Sequence, residues 1–246
     1  MSSSDSGAAP VPPAPPPPQI PTQPDFAVFV VESPRADDAY SHRSEMAALQ
    51  LVGQLDEIPV YGRFALDREH FERALKEDVG KILTQHFSTK QGPLILFLHI
   101  GAHGDAEGFE LSNHDSVTWV ELRELLVPIC RHLAGLLVLS MSSCEGFQAI
   151  RAALRLGTPE DTQYPFAALV GSTGAPTWSD TAIGYATLYH RLRQGATVAD
   201  AVEAMRVASG HPHFGWATAE QIRTAFIQFV ADRIRQTAQT APPATE

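Results

Sequence analysis

The sequence predicts an α/β fold built on a mostly parallel sheet with helices on both faces. Short continuous apolar runs rich in Val, Leu, Ile and Phe recur along the chain, each closed by Gly, Pro or Ser. Between them lie stretches with apolar residues at helical spacing. The runs lack an alternating polar face, so their strands are buried on both sides, which is the arrangement of a parallel sheet covered by crossover helices.

In order, DFAVFVVESP (25–34) reads as a first buried strand stopped by Pro34. A helix carrying Met46, Leu49, Val52 and Leu55 follows, then a shorter strand in IPVYGRFAL (58–66). Phe71, Leu75, Val79 and Ile82 share one face of the next helix. PLILFLHIGAHG (93–104) is an apolar strand running into a Gly- and His-rich turn, and FELSNHDSVT (109–118) is a hairpin or loop. Thr118 and Glu121 form a capping box for a helix bearing Leu122, Leu125, Leu126 and Ile129. GLLVLSMSSCEG (135–146) is a buried strand and turn, followed by a helix with Phe147, Ile150 and Leu154. After a strand in PFAALVGSTG (165–174), three helical stretches complete the chain, the last two capped by Thr197 with Asp200 and by Thr218 with Gln221.

Composition narrows the function classes. Hydrophobic residues make up 44% and charged residues 19% of the 246, which supports a folded core. The formal net charge of −10 argues against a nucleic-acid partner, because phosphate binding needs clustered Lys and Arg. No basic amphipathic stretch suggests a membrane surface. The longest apolar runs fall far short of the roughly 20 residues of a membrane helix. Cys130 and Cys144 allow one disulfide at most and no signal-peptide pattern is present, so a cytoplasmic protein is expected. Residues 1–24 are a Pro-rich tail expected to be disordered, with a proline-reading partner as the sharper reading. One domain is expected over 25–236, and a second disordered tail over 237–246.

In open α/β sheets chemistry collects just past the carboxyl ends of strands. Two such ends carry reactive side chains: Gly101-Ala102-His103-Gly104 and Ser142-Ser143-Cys144-Glu145-Gly146. A cysteine nucleophile needs a thiolate and a base to form it. Cys144 is expected near the first turn of the next helix, where dipole and amides favour negative charge. His103 supplies the imidazole. Gly104 lets the backbone approach a substrate carbonyl, so its amide and that of Cys144 are the candidate oxyanion donors.

The other candidates have plainer readings. His99 is a satisfied core histidine, and His211-Pro-His213 is a turn. Cys130 is structural. A zinc site from His103, His114 and Cys144 lacks the spacings of known zinc motifs, so neither metal nor cofactor is expected.

The stretch LFLHIGAHGDAEGFEL resembles the histidine segment of the caspase-like (clan CD) cysteine peptidases, where an apolar strand leads into His-Gly. GLLVLSMSSCEG resembles their cysteine segment, with a small-residue turn before Cys-x-Gly. Residues 165–210 are similar to the bacterial CHAT branch, with a Trp near an Asp and a Tyr-containing helix. The resemblance spans roughly 25–210. It implies a caspase-haemoglobinase-like sheet and an endopeptidase acting on a protein substrate in bacterial signalling or defence. His103 and Cys144 would be its dyad and Gly104 its oxyanion glycine. A protease of this size is expected to be controlled by a partner, by processing or by substrate scarcity, and the acidic Glu160-Asp161 segment is a candidate processing site by position only. Ser142, Trp178 and Asp180 are the candidate substrate-binding residues. Members specific for basic residues carry an acid shortly before the cysteine. Ser142 stands there here, so the resemblance does not carry a basic preference over, while Asp180 either reaches the pocket or caps its helix. The alternative is a non-catalytic interaction module on the same fold.

Overall fold

The computed structural model describes residues 26–89, 92–154 and 163–240. The Pro-rich segment 1–24, the Glu160-Asp161 segment and residues 241–246 lie outside the described residues.

Burial on both faces is clearest in β1 (Phe26–Ser33). Ala27, Phe29 and Val31 point into one apolar cluster, and Val28 and Val30 into another. β1 pairs in parallel with β2 (Val60–Phe64) on one side and with β3 (Ile95–Gly104) on the other. β3 pairs in parallel with β6 (Leu137–Ser142), and β6 with β7 (Ala168–Ser172). Between β3 and β6 the hairpin β4 (Gly108–Glu110) and β5 (Ser116–Thr118) folds antiparallel onto the end of β3. β8 (Phe214–Thr218) closes the far edge antiparallel to β7, giving the order β2-β1-β3-β6-β7-β8. The described chain is thus an α/β fold on a mostly parallel mixed sheet.

Helices cover both faces. On one side pack α3 (Arg68–Arg73), a π-helical turn (Ala74–Asp78), α4 (Val79–Thr89), α5 (Trp119–His132), a 3₁₀ helix (Gly146–Ala153) and α8 (Ala219–Thr240). On the other pack α2 (Glu45–Asp56), α6 (Trp178–Arg193) and α7 (Val198–Ser209). A short α1 (Ala36–Tyr40) follows β1. Leu96, Leu98, Leu137 and Leu139 in the central strands are wholly buried. Each contributes about 1.5–3 kcal/mol by leaving water.

The connectivity sets where the strand ends open. From β1 the chain goes to β2 on one side, then returns to β3 on the other. The winding therefore reverses between β1 and β3, and helices leave that crevice uncovered at the strands' carboxyl ends.

Four details differ from the sequence expectation. β3 does not stop before the Gly-His segment. It runs through Gly104, because the β4 hairpin pairs with it there. The segment after Cys144 is 3₁₀ rather than α-helical. FGWAT, which the sequence reading leaves unassigned before the Thr218 cap, is a strand on the open edge of β7. α8 continues to Thr240, past the boundary expected at 236.

Candidate active site

Three neighbouring strands bring one side chain each to the crevice. α1, just past β1, carries Asp38, while His103 is in the last two residues of β3 and Cys144 lies just past β6. In the β3–β6 register Gly101 stands opposite Ser142, so His103 and Cys144 are each two residues beyond a matched pair on adjacent strands. Neighbouring strands lie about 4.8 Å apart. The approach is close enough that a β-carbon at Gly104 would stand 2.9 Å from the Cys144 carbonyl oxygen and from Ser143. His103, Cys144, Asp38 and Trp178 line one cleft of about 540 Å³.

His103 is held from behind. Its Nε2 lies 2.7 Å from Asp38 Oδ2. The Asp38 carboxyl is below its ordinary range: burial opposes ionisation, but hydrogen bonds and charge from His103 and Arg43 outweigh it. Arg43 bonds the other carboxylate oxygen at 3.1 Å. An ionised carboxylate only accepts, so Nε2 carries the proton and Nδ1 is the basic nitrogen. The Trp178 ring meets the imidazole edge-on, with centroids 6.1 Å apart.

The cysteine turn is shaped by its small residues. Glu145 takes a left-handed conformation, φ 52°, and its N–H donates to the Gly174 carbonyl at 2.8 Å. The Gly146 N–H donates back to the Ser143 carbonyl at 3.1 Å. A β-carbon at Gly146 would lie 2.6 Å from the Met141 carbonyl, so the Cys-x-Gly spacing is a packing requirement of this turn. A short 3₁₀ helix offers a weaker aligned dipole than the α-helix expected there, so the site's basic partner rests on His103. Cys144 is partly exposed. Cys130 is buried, and burial pushes its thiol up.

The cleft floor is polar and buried. The Ser142 hydroxyl donates to Glu45 Oε1 at 2.6 Å, and Thr181 donates to the same oxygen. His99 Nε2 meets Glu45 Oε2 at 2.8 Å, while its Nδ1 meets the Tyr189 hydroxyl at 3.1 Å, so His99 is a bonded core histidine. Behind Glu45, Glu32 at the end of β1 accepts the Glu45 and Met46 N–H groups and the Ser44 hydroxyl. It thereby caps α2 from another strand. Burial raises the Glu32 carboxyl above its ordinary value, against those hydrogen bonds.

Of the residues singled out from sequence, His103, Cys144, Ser142 and Trp178 line the cleft and Gly104 abuts it. Asp180 does not line it. Its carboxylate accepts the Thr177 N–H at 2.9 Å in the capping box of α6. That box holds the carboxyl below its usual range, chiefly through the Thr177 backbone bond. His114 is exposed on the hairpin and bonded to Glu110. Among the described residues no group of three or more His, Cys, Asp or Glu is placed to hold a metal ion, and no helix is long and apolar enough to cross a membrane.

Asp38, Glu45 and Thr181 were not found from sequence. Asp38 sits in the short α1 just past β1, where a search for acids would have met both Asp37 and Asp38 with nothing to separate them. Glu45 opens a helix, a position where a solvated acid is the ordinary occupant. Thr181 lies inside α6 beside its cap. No protein-family model matches the chain, and no curated protein is significantly similar to it.

Proposed function

We propose that this chain is a cysteine endopeptidase with a caspase-haemoglobinase-like, CHAT-type fold. The observation that carries the reading is His103, fixed by Asp38 at the end of β3 and sharing a cleft with the partly exposed Cys144 beyond β6. Nucleophile, base and orienting group converge at the crevice where the sheet's winding reverses.

The chemistry is acyl transfer. Cys144 Sγ gives its proton to His103 Nδ1 and attacks the scissile carbonyl carbon, forming a C–S bond while the carbonyl π pair moves to oxygen. Backbone N–H groups at Gly104 and Cys144 are the candidate donors for that oxyanion. Collapse breaks the C–N bond, and the imidazolium delivers its proton to the leaving amine. Water then yields a proton to His103 and attacks the thioester, releasing the acid and restoring the thiol. Asp38 keeps Nε2 protonated and steadies the imidazolium, as a positioning residue. A protein is the substrate the resemblance suggests, with bacterial signalling or defence as the setting.

Hydrolysis of a fluorogenic peptide library spanning the acyl-side residue tests this. Turnover by the wild type, abolished in Cys144→Ala and His103→Ala, is the expected result. Variants equal to the wild type in any residual turnover would leave an interaction module on this fold as the reading.

A further inference from the structure

We propose that Glu45 is the specificity-determining residue of the cleft and selects substrates with Arg or Lys on the acyl side of the scissile bond. This deepens the peptidase reading and rests on it.

The argument starts from the floor. Glu45 lines the cleft together with Ser142 and Thr181, both of which donate their hydroxyl protons to its carboxylate. A hydroxyl that has donated its proton offers only lone pairs to anything else. The floor therefore presents acceptors: a carboxylate and two hydroxyl oxygens. A guanidinium or ammonium brings donors alone and is the complementary partner. An amide would leave its carbonyl facing acceptors, and a carboxylate would meet like charge in a desolvated place.

The charge balance agrees. Glu32 stands directly behind Glu45 and is also buried, and Asp38 flanks the mouth. The basic side chains facing this group are His99 below, His103 bonded to Asp38, and Arg43 at the rim, about half exposed and also bonded to Asp38. The Arg43 guanidinium is thus engaged by Asp38 at the rim, while the side chains bonded to Glu45 on the floor are Ser142, Thr181 and His99. Higher in the cleft, Ala102, Pro176 and Trp178 supply apolar walls for the methylene stem of a long basic side chain.

Ser142, the last residue of β6, donates to a carboxylate brought from α2, so two elements build the acidic floor together.

The test is a set of peptidyl electrophiles identical except for the acyl-side residue: Arg, Lys, citrulline, Asp and Leu. The rate of adduct formation on Cys144 is followed by mass spectrometry in wild type, His103→Ala, Glu45→Gln and Ser142→Ala, each checked for folding by thermal melting. Arg and Lys probes are expected to react about 10²-fold faster than citrulline, an uncharged shape match for Arg. In Glu45→Gln that ratio is expected to fall by at least about 10-fold, and in Ser142→Ala by less. Citrulline reacting as fast as Arg, or Asp or Leu reacting fastest, with labelling still dependent on His103, overturns the cation assignment and leaves the peptidase standing. Failure of every probe to label Cys144 in a His103-dependent way overturns both. If Glu45→Gln does not fold, the wild-type Arg-to-citrulline ratio and the Ser142→Ala variant still decide the matter.

Discussion

Asp38 and His103 show how one contact sets the state of two ordinary residues. The carboxylate is held in its charged form by His103 and Arg43, and that charge fixes which imidazole nitrogen is basic. Asp38→Asn keeps the shape but offers an amide in place of a full charge. A loss of about 10²-fold in kcat/KM is expected, read by peptide hydrolysis. The depressed Asp38 carboxyl also carries a pH signature. Stability from a lowered acid is present above the unfolded value, near 4 for Asp, and is lost as pH falls through the folded value. The stability gap between wild type and Asp38→Asn should therefore close as pH falls below about 4 in acid titrations followed by circular dichroism. Gly104→Ala places a β-carbon 2.9 Å from the Cys144 carbonyl and from Ser143. Activity should fall at least about 10-fold while the fold survives, because the two strand ends must separate.

At the scale of elements, the sequence was most informative where local chemistry decides structure. The Thr118–Glu121 box, the Thr197–Asp200 cap and the Thr218–Gln221 pair all form as their spacing predicts. The Thr177–Asp180 box explains why Asp180 stays out of the cleft. What was not legible depends on partners distant in sequence. Glu32 reads as the polar end of a strand, yet it caps α2 across the β1–α2 loop. β8 forms because β7 needs an edge partner, which five residues of FGWAT do not announce. β3 is longer than its apolar run because the hairpin pairs with its Gly-rich end. Removing the cross-element cap tests this: Glu32→Ala leaves two buried N–H groups without acceptors and should cost about 1–3 kcal/mol in denaturant unfolding. Thr177→Ala should cost about 1 kcal/mol, as loss of an exposed cap does.

For the molecule as a whole, the α/β class and the two-sided burial of the sheet were readable from apolar runs alternating with amphipathic stretches. The strand order was not, because periodicity says nothing of pairing. The observed order places the winding reversal between β1 and β3, and so gives the β1 end a share in the site that sequence reasoning had assigned to two strands. The central strands carry the fold. Leu139→Ala, wholly buried in β6 among side chains of the larger cluster, should destabilise by about 2–5 kcal/mol in equilibrium unfolding. β6 also delivers Cys144, so such a variant should lose activity in step with its folded fraction. The two cysteines differ for the same architectural reason. One is a buried residue of α5, and the other opens on the crevice.

That difference supplies the most direct measurement: the rate at which a small haloacetamide alkylates each cysteine of the native protein, located by mass spectrometry, in wild type and His103→Ala. The account predicts rapid modification of Cys144 that slows at least about 10-fold without His103, while Cys130 reacts only on unfolding. Equal labelling of both cysteines, or Cys144 labelling indifferent to His103, would contradict it.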